Sequence, residues 1–222
     1  SSADDEYFNT VDENSLIYNS HLPATDFYVD RLLKTLDELG ISKKTILVIF
    51  SDHGTSVGEK KGEKFYGVYV YDYTINVFCM LYHPKLEPKV VTQQCRTIDL
   101  YPTILELTGI ENTLTSQIQG ESLMKLVDDD DSSKDRVIFV ETGGLYGPWP
   151  SPERHNVFCI KTKNKKLIYN DAPETWEFYD LKKDPGEENN IYDKDSDIVN
   201  DLKEQLLKHF KENNINTKIS LN

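Results

Sequence analysis

An apolar run from Ile46 to Phe50 stops at Ser51-Asp52-His53-Gly54, which sets a carboxylate beside an imidazole. Adjacent oxygen and nitrogen donors suit a divalent cation such as Zn²⁺ or Mn²⁺. The run is branched and uncharged, the composition of a strand buried on both faces, as in a parallel sheet. Ligands of open α/β sheets bind beyond the carboxyl ends of the strands, and that is where Asp52 and His53 would stand. Gly54 would let the backbone turn tightly beside an ion. An ordinary strand exit with Asp52 as a cap accounts for the same tetrapeptide, so these four residues leave both readings open.

The flanking pattern supplies elements to position the pair. From about Tyr18 to Leu39, Phe27, Val29, Leu32, Leu33, Leu36 and Leu39 recur mostly at helical spacing, and Gly40 ends the helix. Helix followed by strand is an α/β unit. Residues 55–68 read as a loop rich in glycine (Gly58, Gly62, Gly67) and lysine (Lys60, Lys61, Lys64). Tyr69 to Tyr82 reads as a second buried strand, built on Ile75, Val77, Phe78, Met80 and Leu81 and closed by His83-Pro84. Pro88 to Val91 begins a further element. Arg96 to Gly109 predicts a turn into a helix, with Pro102 in its first turn and Gly109 just past its end. The run Asp128-Asp129-Asp130-Asp131-Ser132-Ser133 is the best boundary. It divides the chain into 1–127 and a smaller part, 128–222. Beyond it, short strands are expected at 137–141, 157–161, 166–169 and 176–180. A Gly/Pro-rich loop at 143–155 separates the first two, and a helix at 196–211 presents Ile198, Leu202, Leu206, Leu207 and Phe210 on one face. The fold class expected is α/β: part of a mostly parallel sheet flanked by helices, then a small antiparallel sheet with a C-terminal helix.

Composition narrows the function classes. The 222 residues carry 38% hydrophobic and 11% aromatic side chains, enough for a core. A net charge of −13 argues against a nucleic-acid binder. No apolar stretch approaches the ~20 residues that span a bilayer. Cys79, Cys95 and Cys159 lack Cys-x-x-Cys spacing and read as buried, inert thiols, and the odd count fits a reducing compartment such as the cytoplasm. The chain begins at Ser1 rather than Met and reads as a segment of something longer.

Three stretches in this order resemble the sulfatases of the alkaline-phosphatase superfamily. They are Ser51-Asp52-His53-Gly54 after its strand, Asp99-Leu100-Tyr101-Pro102-Thr103-Ile104-Leu105-Glu106-Leu107-Thr108-Gly109-Ile110, and Glu177-Phe178-Tyr179-Asp180-Leu181 continuing through Asp184-Pro185-Gly186-Glu187 to Ile191. The resemblance runs from about residue 18 to 210. It implies a metal-dependent hydrolase of sulfate or phosphate esters, with Asp52 and His53 as metal ligands. The ion would be Mn²⁺, Zn²⁺, Ca²⁺ or Mg²⁺. In many sulfatases the second position is Asn and the ion is calcium; His53 resembles the variant of phosphonate and phosphodiester hydrolases and favours Mn²⁺ or Zn²⁺, because imidazole suits transition metals. The family also places a Lys or His after this loop, shortly before a Tyr-Glu pair, against the transferred group. Tyr71-Asp72 is the comparable pair and Lys64 the candidate cation, with Lys60 and Lys61 behind it and a solvated loop lysine as the plain alternative.

One family feature is missing. No Cys/Ser-x-Pro-x-Arg motif occurs, and no paired-aspartate strand precedes residue 18. The resemblance therefore implies the C-terminal half of an enzyme that needs an N-terminal half for its nucleophile, and this chain alone should be inactive. Two alternatives remain: a phosphoglycerol- or phosphoethanolamine-type transferase, and a non-catalytic module completed by a partner. Other residues read as structural: His21 at a helix start, His83 at a strand end, Asp99 as a helix cap, and Trp176, Phe178 and Tyr179 as strand packing. His155, Tyr146 and Trp149 share the 143–155 loop and are weak candidates for substrate contact.

Overall fold

The structure is a computed structural model that describes residues 16, 18–60, 69–111, 113, 118–128, 136–142, 156–215, 217 and 219. These fall into two compact units: the residues up to Glu87 together with Thr142, and Pro88–Glu141 with those from Asn156 onward. The second unit thus draws on both sides of the four-aspartate run.

In the first unit, α1 (Leu22–Glu38) has proline in its first turn, and a 3₁₀ turn (Ser42–Lys44) leads into β1 (Leu47–Phe50). Gly40 takes a positive φ of 64°, as a residue ending a helix does. The helix has the expected apolar spacing, yet it buries none of its residues; Phe27, Tyr28 and Leu32 are exposed. β1 pairs with β2 (Cys79–Tyr82) in antiparallel register, Leu47 opposite Tyr82 and Phe50 opposite Cys79. The expected mostly parallel sheet is therefore not found among the described residues. Nor is β1 buried on both faces: with one neighbouring strand it is half-buried, and Phe50 is exposed. An apolar run reports burial potential and carries no information on strand direction.

The expected strand over 69–82 is also corrected. Only its last four residues are strand; Asp72–Ile75 forms a one-turn helix, α2. The buried Thr74 hydroxyl donates to the Tyr71 carbonyl at 2.9 Å, and the amides of Thr74 and Ile75 do the same at 2.9 and 3.1 Å. Side-chain bonding of this kind offers the backbone an alternative to a sheet ladder.

The second unit holds a 3₁₀ turn (Thr97–Asp99), α3 (Leu100–Thr108), α4 (Met124–Asp128) and a four-stranded sheet followed by α5 (Asp197–Glu212). Its strands are β3 (Ile138–Thr142, of which all but the last residue fall in this unit), β4 (Val157–Lys161), β5 (Lys165–Asn170) and β6 (Thr175–Asp180), in that spatial order. β4–β5 and β5–β6 are antiparallel. Gly109 ends α3 at φ 68°. No further helix or strand begins at Pro88; Lys89 instead donates to the Val127 carbonyl at 2.6 Å.

The core of this unit lies between the sheet and α5. Phe158, Ile160, Leu167, Tyr169 and Phe178 meet Val199, Leu202, Leu206 and Phe210. The helix buries a stripe at spacings of three and four, which begins at Val199 rather than the expected Ile198, an exposed residue. Beneath the sheet Lys166 and Glu187 are both fully buried and 2.6 Å apart. Glu187 takes a φ of 54°, in the αL region that side chains seldom adopt. The loop that carries it is tied by Asp184, whose carboxylate accepts from the amides of Glu188 (3.0 Å) and Asn189 (2.8 Å). The recognisable stretch 177–191 is thus a strand and a knotted turn that packs its own acid against a core lysine. Among the described residues no helix is long and apolar enough to cross a membrane.

Candidate metal-binding site

Asp52 and His53 follow β1 directly. The Asp52 Oδ1 accepts from the His53 backbone amide at 2.9 Å, which pins the carboxylate over the turn. His53 Nδ1 lies 2.7 Å from the Gly54 carbonyl oxygen. A carbonyl only accepts, so Nδ1 carries a proton, and Nε2 is the ring nitrogen left to reach an ion. Metal-binding imidazoles are ordinarily oriented by an outer hydrogen bond of this kind on the other ring nitrogen. Nε2 and Asp52 Oδ2 stand 3.6 Å apart. That spacing lets both donate to one ion at bond lengths of about 2.0–2.2 Å. The Asp52 side chain is 84% exposed, and His53 is partly so. The pair thus faces outward with an oxygen and a nitrogen donor side by side. Among the described residues no three His, Cys, Asp or Glu side chains gather into a metal cluster, so this pair is a partial ligand set.

Gly54 serves differently from the tight turn expected of it. Its φ is not in the positive range, but a Cβ there would sit 2.1 Å from the Tyr73 carbonyl oxygen and 3.2 Å from the Thr74 Cα. Glycine is required because α2 packs against its bare face, and its amide donates to the Thr74 carbonyl at 2.7 Å. The following turn is held by Glu59, whose Oε2 accepts from the Ser56 hydroxyl at 3.0 Å and the Val57 amide at 2.8 Å. Gly58 there takes a φ of 111°. Lys60 places its ammonium 4.7 Å from the centre of the Tyr71 ring. Lys64 and Lys61 lie outside the described residues, as do Tyr146, Trp149 and His155.

The structure corrects the reading of Asp99 as a helix cap. Its side chain makes no cap bond to α3. It is fully buried and accepts from Arg96 Nη2 (2.8 Å), Arg136 Nη1 (3.1 Å) and the Glu121 amide (3.0 Å). Its carboxylate also accepts the Arg96 amide at 3.0 Å, closing a capping box on the 3₁₀ turn before α3, and the two guanidinium groups add charge-assisted bonds to it. Burial alone would push the Asp99 carboxyl up; the Arg96 side chain and the amides of Glu121 and Arg96 more than offset this and hold it below its ordinary value. Thr103, also buried, donates to the Asp99 carbonyl at 2.6 Å and accepts from the Leu123 amide at 2.8 Å. His21 begins α1 without a side-chain cap bond, and His83 accepts the Lys85 amide at 3.1 Å. The cysteines are not all buried: Cys159 is, whereas Cys79 and Cys95 are exposed.

Thr74 and Glu59 were not legible as site residues. Each acts through backbone groups, and a Tyr-Asp-Tyr-Thr-Ile run reads as strand from composition alone.

Comparison with known proteins places the chain in a family. Residues 62–213 match the family described as N-sulphoglucosamine sulphohydrolase, C-terminal, and residues 6–110 match the family described as sulfatase. An N-acetylglucosamine-6-O-sulfatase of Bacteroides thetaiotaomicron is 31% identical over 208 residues, which is 88% of this chain and 36% of that protein. An ulvan-active sulfatase of Formosa agariphila is 29% identical over 202 residues, 88% of this chain and 38% of that protein. A structure solved with its substrate D-glucosamine-2-N,6-O-disulfate superposes with a TM-score of 0.75 at 26% identity, covering 88% of this chain and 40% of that one. The chain thus spans little more than a third of the length of the curated relatives it matches. It belongs to the sulfatase family of the alkaline-phosphatase superfamily.

Proposed function

We propose that the whole protein is a metal-dependent hydrolase of sulfate esters carried on saccharides, to which this chain contributes Asp52 and His53 as metal ligands. The observation that carries the reading is the geometry: Nδ1–H on the Gly54 carbonyl, with Nε2 and Asp52 Oδ2 3.6 Å apart. The imidazole favours Mn²⁺ or Zn²⁺ over Ca²⁺, which prefers oxygen. When bound, such an ion activates a nucleophile and neutralises charge on the group being transferred. In this reading Asp52 supplies a carboxylate oxygen and His53 an imidazole nitrogen to the ion. Lys64 is proposed to meet a non-bridging sulfate oxygen as a point charge. The nucleophile and further carboxylate ligands come, in this reading, from sequence outside these 222 residues. The exposed apolar side chains of α1, β1 and β2 support a larger sheet completed by that sequence. A saccharide substrate is supported by the names of the two bacterial relatives and by the ligand of the superposed structure.

The test uses full-length protein. Metal analysis should find a stoichiometric divalent cation. Chelation should abolish sulfate release from a 6-O-sulfated glucosamine, and added Mn²⁺ or Zn²⁺ should restore it. Undiminished sulfate release by metal-free protein would sink the proposal.

A further inference from the structure

We infer that Thr74 is a positioning residue for the metal site, acting on His53 through α2 and Gly54; this rests on the reading of Asp52 and His53 as ligands. The relay is continuous. The Thr74 hydroxyl donates to the Tyr71 carbonyl at 2.9 Å and also lies 3.2 Å from the Tyr69 carbonyl. The Thr74 carbonyl accepts the Gly54 amide at 2.7 Å. The Gly54 carbonyl accepts His53 Nδ1–H at 2.7 Å, which presents Nε2 outward.

Each link needs the one before it. α2 is four residues long, and a single turn does not sustain itself, because nucleating a helix fixes several dihedrals for one bond. The buried hydroxyl of Thr74, 4% exposed, supplies an extra tie to the extended segment before the turn. Gly54 has no slack either, since its Cα faces the Tyr73 and Thr74 backbone with no room for a methyl group. A shift of the turn therefore moves Gly54, and with it the acceptor that sets the imidazole plane. Outer-shell groups that orient a ligating histidine ordinarily change metal affinity by roughly 10- to 100-fold.

The experiment is calorimetric titration of metal-stripped, full-length protein with MnCl₂ or ZnCl₂, with sulfate release as a second readout. Thr74→Val keeps the shape and deletes the hydroxyl, and should weaken binding by roughly 10- to 100-fold. Thr74→Ser restores the hydroxyl and should return affinity to within a few-fold of the parent. Thr74→Ala makes the same deletion with a smaller side chain and carries the test if valine crowds the turn. His53→Ala is the control for the underlying reading. If His53→Ala loses metal while the folded deletion variant binds like the parent, the relay is wrong and the ligand assignment stands. If serine binds as weakly as valine, the methyl group rather than the hydroxyl matters, and the relay is again wrong. If His53→Ala binds like the parent, both fall together.

Discussion

Full-length protein carrying His53→Ala should release sulfate at least about a thousandfold more slowly than the parent and should hold no stoichiometric metal. A residue that acts only through a ligand ordinarily costs 10- to 100-fold, and removing the ligand itself costs more; a thousandfold corresponds to about 4 kcal/mol of barrier. Alanine deletes the Nε2 that stands beside Asp52 and leaves the Gly54 carbonyl without its Nδ1 donor. His53→Asn is the informative companion. It keeps a donor atom but exchanges imidazole nitrogen for amide oxygen. The expected result is partial activity that responds to Ca²⁺, with the preference for Mn²⁺ or Zn²⁺ lost. Metal content by elemental analysis, read beside sulfate release, checks both variants. Unchanged metal content in His53→Ala would remove the imidazole from the ligand set.

The second large effect is on stability. Asp99→Ala should destabilise the protein by about 3–5 kcal/mol, because it strands two guanidinium groups that now share one buried carboxylate. The lower end is expected, since Arg96 and Arg136 side chains keep 22% and 17% of their exposure. Alanine also removes the acceptor for the Glu121 amide. Denaturant unfolding of parent and variant measures the difference. The pH dependence has a definite sign. The folded-state pKa of Asp99 is depressed, so the unfolded chain binds this proton more readily. The contribution is fully present above the ordinary aspartate value of about 3.9 and fades as pH falls through the lower, folded value. Asp99→Asn should therefore be less stable than the parent at neutral pH. The gap between them should narrow as acid protonates the parent.

These expectations show what the chain discloses by itself. The placement of Asp52 and His53 side by side at the end of β1 was legible because chemistry-bearing residues interrupt an apolar run. The C-terminal sheet and helix were legible because turn residues punctuate short branched segments, and Leu202, Leu206 and Phe210 mark one helical face. Strand direction was not, since the side-chain alternation of β1 is the same beside a parallel or an antiparallel neighbour. Asp99 was misread because a cap is a local inference, whereas Arg136 lies 37 residues away. The helical turn at α2 was hidden because a single buried hydroxyl decides it against an aromatic, strand-like composition. Gly54 was recognised as necessary for the wrong reason: the demand comes from the backbone of residues 73 and 74, which only the fold brings near.

The three cysteines give the molecule a built-in clock. Cys159 is fully buried within β4, while Cys79 and Cys95 are exposed. A thiol reagent should therefore modify two sulfurs promptly, the Cys79 sulfur slowed by the partial burial that raises its pKa. The third should react only when the second unit opens. Its labelling rate then reports how often β4 separates from its neighbours under native conditions, without denaturant and without touching Asp52 or His53.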